Sequence, residues 1–233
     1  MPFVHLKLAL AALLASHGFT SVTLALGIAD LAPGDLVITE YLANPTGAAD
    51  TEAEYFEIFN RRTEAVELTG MVVRDEGSNE FIVDSLSIGA GQFAVFSNGN
   101  GTALGFDVDF NYGNALALTN GADEVVLTQA DGAEIFRLTY SDGDFFGAGV
   151  AHELVRMAAG LSTAVGPVTG MDYQAAVTSL LLDNFGSPGG AGQTELVPVP
   201  VPATAWLLGS ALGCTGAWAR RRRRGHAAPG SRL

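Results

Sequence analysis

Four histidines occur in the 233-residue chain, and only His152 lies away from its apolar ends. One imidazole cannot build a His-cluster metal centre, and it leaves a single general base of that type. No serine sits in a Gly-x-Ser-x-Gly elbow, so a nucleophilic triad through His152 has no local support, and a structural or surface histidine is the expected reading. The only lysine is Lys7, so a Gly-rich phosphate loop with its lysine is excluded. Glu54 and Glu57 could be imagined as paired acids, but residues i and i+3 of a strand point to opposite faces, and both are expected to be solvated strand charges. Asp107, Asp109 and Asn111 place oxygen donors two residues apart, as a calcium loop does. The run lacks the glycine at the sixth position and the glutamate at the twelfth, where Leu118 stands. Asp50, Glu52 and Glu54 form a second acidic group. Ca2+ is therefore the one ion these residues could take, and no other cofactor is expected.

Charge narrows the classes further. All 25 acidic residues fall between Asp30 and Glu195, where only five basic residues stand against them (Arg61, Arg62, Arg74, Arg137 and Arg156), a balance of −20. Such a surface repels phosphate backbones, so nucleic acid is excluded as a partner. The single cysteine, Cys214, lies in the C-terminal apolar tract. The middle therefore needs neither disulfides nor thiol chemistry and must be held by its own apolar core.

The elements that must position these residues are short. Leu36 to Leu42 is rich in strand formers and ends at the turn cluster Asn44-Pro45-Thr46-Gly47. Glu54 to Asn60 is a second strand, and Ala65 to Leu68 and Met71 to Arg74 flank Thr69-Gly70. Glu80 to Val83 and Gln92 to Ser97 follow further turns. Ala115 to Thr119 and Glu124 to Thr128 flank Asn120-Gly121, predicting a hairpin, and Ile135 to Tyr140 follows Asp131-Gly132. Val125/Leu127 and Phe136/Leu138/Tyr140 alternate as half-buried strands do. The pattern predicts an all-β antiparallel sandwich without a helix of ordinary length. Phe145 to Asp183 is the least regular part, with His152 to Arg156 as a late strand and Gln174 to Leu182 ambiguous between helix and strand.

These segments, in order, resemble the lamin-tail domain. The likeness is carried by Val37-Ile38-Thr39-Glu40-Tyr41, Asn44-Pro45, Glu54-Tyr55-Phe56-Glu57-Ile58-Phe59-Asn60 and Val66 to Val73. It continues through Ile88 to Phe93, Leu118 to Leu127 and the closing Asp183-Asn184-Phe185-Gly186-Ser187-Pro188-Gly189. The resemblance implies an immunoglobulin-like β-sandwich over residues 35–190 and a scaffold or binding role.

The two ends carry addresses. Apolar runs at Leu8 to Ala15 and Val22 to Ile28, then small residues at Gly27 and Ala29, predict a signal peptide over residues 1–29, handled by the export translocon and signal peptidase. Residues 191–202 form a Pro-rich spacer. Ala203 to Ala219 is apolar and close to bilayer-spanning length, and Arg220, Arg221, Arg222, Arg223 and Arg224 follow at once, so the domain is left on the outer side. This tail resembles the PEP-CTERM sorting signal, in the form where Val199-Pro200-Val201-Pro202-Ala203 leads the span. Val201 stands where the commonest form has Glu, and residues 225–233 trail the Arg block. The resemblance implies an exosortase-like membrane protease as partner.

The expectation is thus a non-catalytic structural or adhesion-type protein at the cell envelope or surface, with an extracellular matrix or surface polymer as its further partner. A calcium-dependent extracellular binding module and a carboxylate-based extracellular hydrolase are the alternatives. A close carboxylate pair in a cleft would favour the hydrolase.

Overall fold

The computed structural model describes residues 25–141, 146–157, 168–169, 172–193 and 195–196. The leader up to Leu24, and the spacer and sorting segment from Val197 onward, including Pro200, Val201, Pro202 and Arg220 to Arg224, lie outside these residues. Among the described residues no helix is long and apolar enough to cross a membrane.

Along the chain the strands are β1 (Leu26–Gly27), β2 (Leu36–Leu42), β3 (Tyr55–Asn60), β4 (Val66–Glu67), β5 (Val72–Arg74), β6 (Glu80–Ile82), β7 (Ser87–Ile88), β8 (Phe93–Ser97) and β9 (Phe110–Asn111). They continue with β10 (Asp123–Thr128), β11 (Glu134–Tyr140), β12 (His152–Leu154), β13 (Arg156–Met157), β14 (Val168–Thr169), β15 (Tyr173–Ala175) and β16 (Glu195–Leu196). One four-residue helical turn, α1 (Asp50–Ala53), precedes β3. A six-stranded sheet runs β15-β12-β2-β3-β8-β9, and a five-stranded sheet runs β14-β11-β10-β5-β6. Their inner faces meet in one apolar core that joins Ile38, Tyr41, Phe56, Ile58 and Phe96 to Val73, Val125, Leu127, Phe136 and Leu138. Phe56 and Phe96 stack at 5.1 Å and Phe81 and Tyr112 at 5.1 Å, so aromatic bulk fills the middle of the sandwich. Burying a side chain of the size of Phe96 contributes about 3 kcal/mol. The all-β architecture is consistent with an immunoglobulin-like sandwich. It is mixed rather than purely antiparallel, because β9 and β14 join the sheet edges in parallel and β1 pairs in parallel with β4.

Two departures from the expected strands have physical causes. Ala115 to Thr119 forms no hairpin with β10, which pairs with β11 and β5 instead. The amides of Leu118 and Thr119 donate to the carboxylates of Glu54 (3.0 Å) and Asp123 (2.7 Å), so side chains take the place of a ladder. Leu116 and Leu118 still pack into the core, which accounts for their alternation. At the N-terminus, residues assigned to the end of the leader take part in the fold: Leu26 and Gly27 pair with Val66 and Glu67, and Ile28 is buried in the core.

The six-stranded sheet is covered on both faces. Its outer face carries a second apolar cluster (Leu42, Tyr55, Val95, Leu104, Ala151, Ala176), with Phe106 and Phe185 packed against it. Every residue of β2 and β3 is consequently buried, which erases the period-two signal in both.

Candidate functional site

On this covered outer face three glutamates stand side by side. Cross-strand pairing sets Glu153 of β12 opposite Glu40 of β2, and Glu40 opposite Glu57 of β3. All three are at most 1% exposed. A register irregularity between Ile38 and Glu40 adds one residue to β2. That residue, Thr39, donates its hydroxyl to Glu57 Oε1 at 2.5 Å.

The donors that compensate these acids come from the closing segment, residues 186–193. The Ser187 amide donates to both Glu40 oxygens (2.9 and 3.0 Å), those of Gly189 and Gly190 to Glu57 Oε2 (2.6 and 3.1 Å), and that of Gln193 to Glu153 Oε2 (3.0 Å). The Gln193 side chain donates to the same oxygen at 3.1 Å, and the Tyr55 hydroxyl donates to Glu40 Oε1. Close approach demands glycine at two positions. A Cβ on Gly186 would strike the Tyr55 hydroxyl and stand 2.7 Å from Glu40 Oε1. One on Gly192, at φ +50°, would strike Ser187 Oγ and Glu153.

The clasp holds a proton. Ser187 Oγ lies 2.6 Å from Glu40 Oε2 and 2.9 Å from Glu153 Oε1. One hydroxyl has one proton to donate, so making both bonds requires a carboxyl that donates to Oγ in turn. Burial, only partly offset by Ser187 and Tyr55, raises the Glu40 pKa to about 7. Burial likewise raises Glu57 to about 8, against the lowering effect of Thr39, Gly189 and Gly190. Desolvation, followed by the charge of Glu40, pushes the Tyr55 hydroxyl well above its ordinary value.

A second acidic feature lies at α1. Glu54, 3% exposed, accepts at Oε2 from Asn98 Nδ2 (3.0 Å) and from the Leu118 amide (3.0 Å). It borders a cleft of about 390 Å³ that is also lined by Asp50, Asn98, Leu116, Leu118 and Asn120. Burial raises the Glu54 pKa to about 7, with the charges of Asp50 and Asp123 adding to the effect.

Sequence reasoning named some of these residues and missed their arrangement. Glu54 and Glu57 do go to different surroundings, but neither is a solvated strand charge: Glu54 precedes β3 and Glu57 is wholly buried. Asp109 accepts from the Val95 amide at 2.8 Å, and Asn111 accepts from the Gly113 amide at 2.8 Å while donating to the Gly99 carbonyl at 2.8 Å. These side chains therefore hold the β8–β9 edge in place. Among the described residues no three His, Cys, Asp or Glu side chains converge in a way that could hold a metal ion. His152 is buried, stacked on Tyr41 at 4.4 Å and packed on Phe146 at 4.7 Å. The Glu40–Glu57–Glu153 row was missed because it depends on strand register. Its available signal was a glutamate inside each of two otherwise apolar strands, answered by the Gly/Ser run at 186–192.

Compared with known families, residues 30–142 match the Lamin Tail Domain model. This stretch runs from the residues before β2 to the end of β11, and the family is an immunoglobulin-like one, in keeping with the sandwich. No curated protein matches the chain significantly.

Proposed function

We propose, taking a lamin-tail-type sandwich as the premise, that this chain is an exported, non-catalytic structural or adhesion-type module of the cell surface or matrix. The observation that carries the reading is the use of the buried acids. A carboxylate pair in a cleft would have favoured a hydrolase, and Glu40 and Glu57 are indeed neighbours. Their oxygens are occupied by the closing segment. The nearby cleft lined by Asp107, Asp109 and residues 186–190 does not have Glu40 or Glu57 on its walls. Glu40 and Glu57 thus fasten the fold, and Glu54, which does border a cleft with Asp50, likewise has Oε2 committed to Asn98 and the Leu118 amide.

Export and exosortase-type sorting rest on the apolar leader, the Pro-rich spacer, the apolar tract and the Arg block. A cysteine-free, acidic domain suits an extracellular setting. Because β1 and Ile28 belong to the fold, cleavage after Thr23-Leu24-Ala25 preserves the sandwich, whereas cleavage before Asp30 removes its first strand. Intact-mass spectrometry on protein from the native host, with and without the sorting protease, tests the whole reading. The expected mature species begins near Leu26 and, only when the protease is present, ends near Pro202. A species that keeps Ala203 to Arg224 in both strains refutes the sorting step, and one that keeps the leader in the cytoplasm refutes export.

A further inference from the structure

The cleft beside α1 is built from acceptors. Asn98 Nδ2 donates to the Asp50 carbonyl (2.6 Å) and to Glu54 Oε2, which fixes the orientation of the amide. Its Oδ1 is then a buried acceptor without a partner in a side chain only 7% exposed, on the wall of the cleft. Leaving such an acceptor unsatisfied is costly, and a ligand bearing donors would recover that cost. Both bonds that Glu54 accepts fall on Oε2, so Oε1 keeps its capacity, as does Oδ1 of Asp50, whose Oδ2 takes the Asn120 amide at 3.0 Å. Tyr112, 6% exposed, has an unpartnered hydroxyl, and after burial the charge of Glu54 is what holds its proton on.

We infer that this cleft binds the guanidinium group of an arginine side chain presented by a partner polypeptide. Asp50 Oδ1, Glu54 Oε1 and Asn98 Oδ1 are acceptors with remaining capacity, two of them on carboxylates, and they share the walls with the side chains of Thr51, Asn114 and Thr119. Guanidinium is the side-chain group that offers only donors, five of them in one plane. Leu116 and Leu118 supply an apolar wall for the methylene stem. A bare divalent ion fits less well, since among the described residues no three acidic side chains converge and the cleft is far larger than an ion. The ammonium of an amino sugar is a point charge without the planar fork that guanidinium offers to carboxylates. Asp123 adds its charge to those of Asp50 and Glu54, so the field around the cleft is negative before anything binds. The inference is independent of where in or outside the cell the chain works.

The test is a titration of acetyl-arginine amide into the 15N-labelled full-length chain at low ionic strength, following the amides of Leu118 and Asn120. Saturable shifts are expected, with acetyl-lysine amide, glucosamine and calcium chloride binding more weakly. Asp50→Asn and Glu54→Gln are each expected to weaken binding about tenfold or more, the effect of losing a charge-assisted bond. Asp107→Asn, in the other cleft, should bind as the parent does. Asp50 is half-buried, so its variant keeps the test open if Glu54→Gln fails to fold. Absence of saturable shifts with acetyl-arginine amide overturns the inference. So does tighter binding of glucosamine or calcium, or an Asp50→Asn chain that binds as well as the parent.

Discussion

Raising the pH from about 5.5 to about 8 should loosen this fold, and Glu57→Gln should remove the largest single share of that response. Glu57 has a pKa of about 8 in the fold, against an ordinary value of 4.5. The folded chain therefore holds a proton that the unfolded chain gives up. Stability from this group is fully present below the unfolded value and is lost as pH climbs through the folded one. At 1.36 kcal/mol per pH unit, the loss between pH 5.5 and pH 8 is about 3 kcal/mol from Glu57 alone. Glu40 and Glu54, each at about 7, lose their shares over the same interval. The assay is urea unfolding of the full-length chain at several pH values, comparing parent with Glu57→Gln. The glutamine stays neutral, so its curve should be flatter, and the stability difference should move in the variant's favour by about 3 kcal/mol between pH 5.5 and pH 8. If the parent's stability stays level or rises across the interval, or if Glu57→Gln keeps the full slope, the protonated clasp is wrong.

Three further outcomes follow from the same geometry. Gly186→Ala places a methyl group against the Tyr55 hydroxyl and Glu40, and should cost about 2 kcal/mol or more in thermal unfolding. Ser187→Ala removes the hydroxyl shared by Glu40 and Glu153 and should cost about 1–3 kcal/mol, measured at about pH 7 where the parent still makes both bonds. A fragment ending at residue 142, where the family match ends, lacks β12, β15 and the closing segment, and leaves Glu40 and Glu57 without their backbone donors. Its amide NMR spectrum should lack the dispersion of a folded sandwich, and a well-dispersed spectrum would show that the clasp is dispensable.

How much of this was legible beforehand depended on whether the information was local. β2, β3, β5, β8, β10 and β11 follow from β-branched and aromatic runs bounded by turn residues, and Asp131-Gly132 does mark the β10–β11 hairpin, with Gly132 at φ +90°. The false hairpin at Ala115 to Thr119 came from true alternation: Leu116 and Leu118 are buried, but the Leu118 amide bonds to the distant Glu54 and the Thr119 amide to the nearby Asp123 side chain. Glu40, Glu57 and Glu153 look like solvated charges one strand at a time. Only sheet order brings them together, and the backbone donors that cover Glu40 and Glu57 come from the closing segment, far along the chain. Polar residues inside an apolar strand were the visible trace, because a buried carboxylate needs donors from somewhere.

The closing segment also decides how the sandwich responds to being pulled. In a chain held by its C-terminal end, tension enters at β16, which among the described residues is paired with β13, and passes next to Gln193. From there it meets the bonds of Gly190 and Gly189, both on Glu57 Oε2, and then those of Ser187 on Glu40. Bonds met in sequence share no load, so they open one at a time like a seam unpicked from its end. Pulled from that end, the seam is met before the aromatic core beneath it, whose strands lie further along the path of the tension.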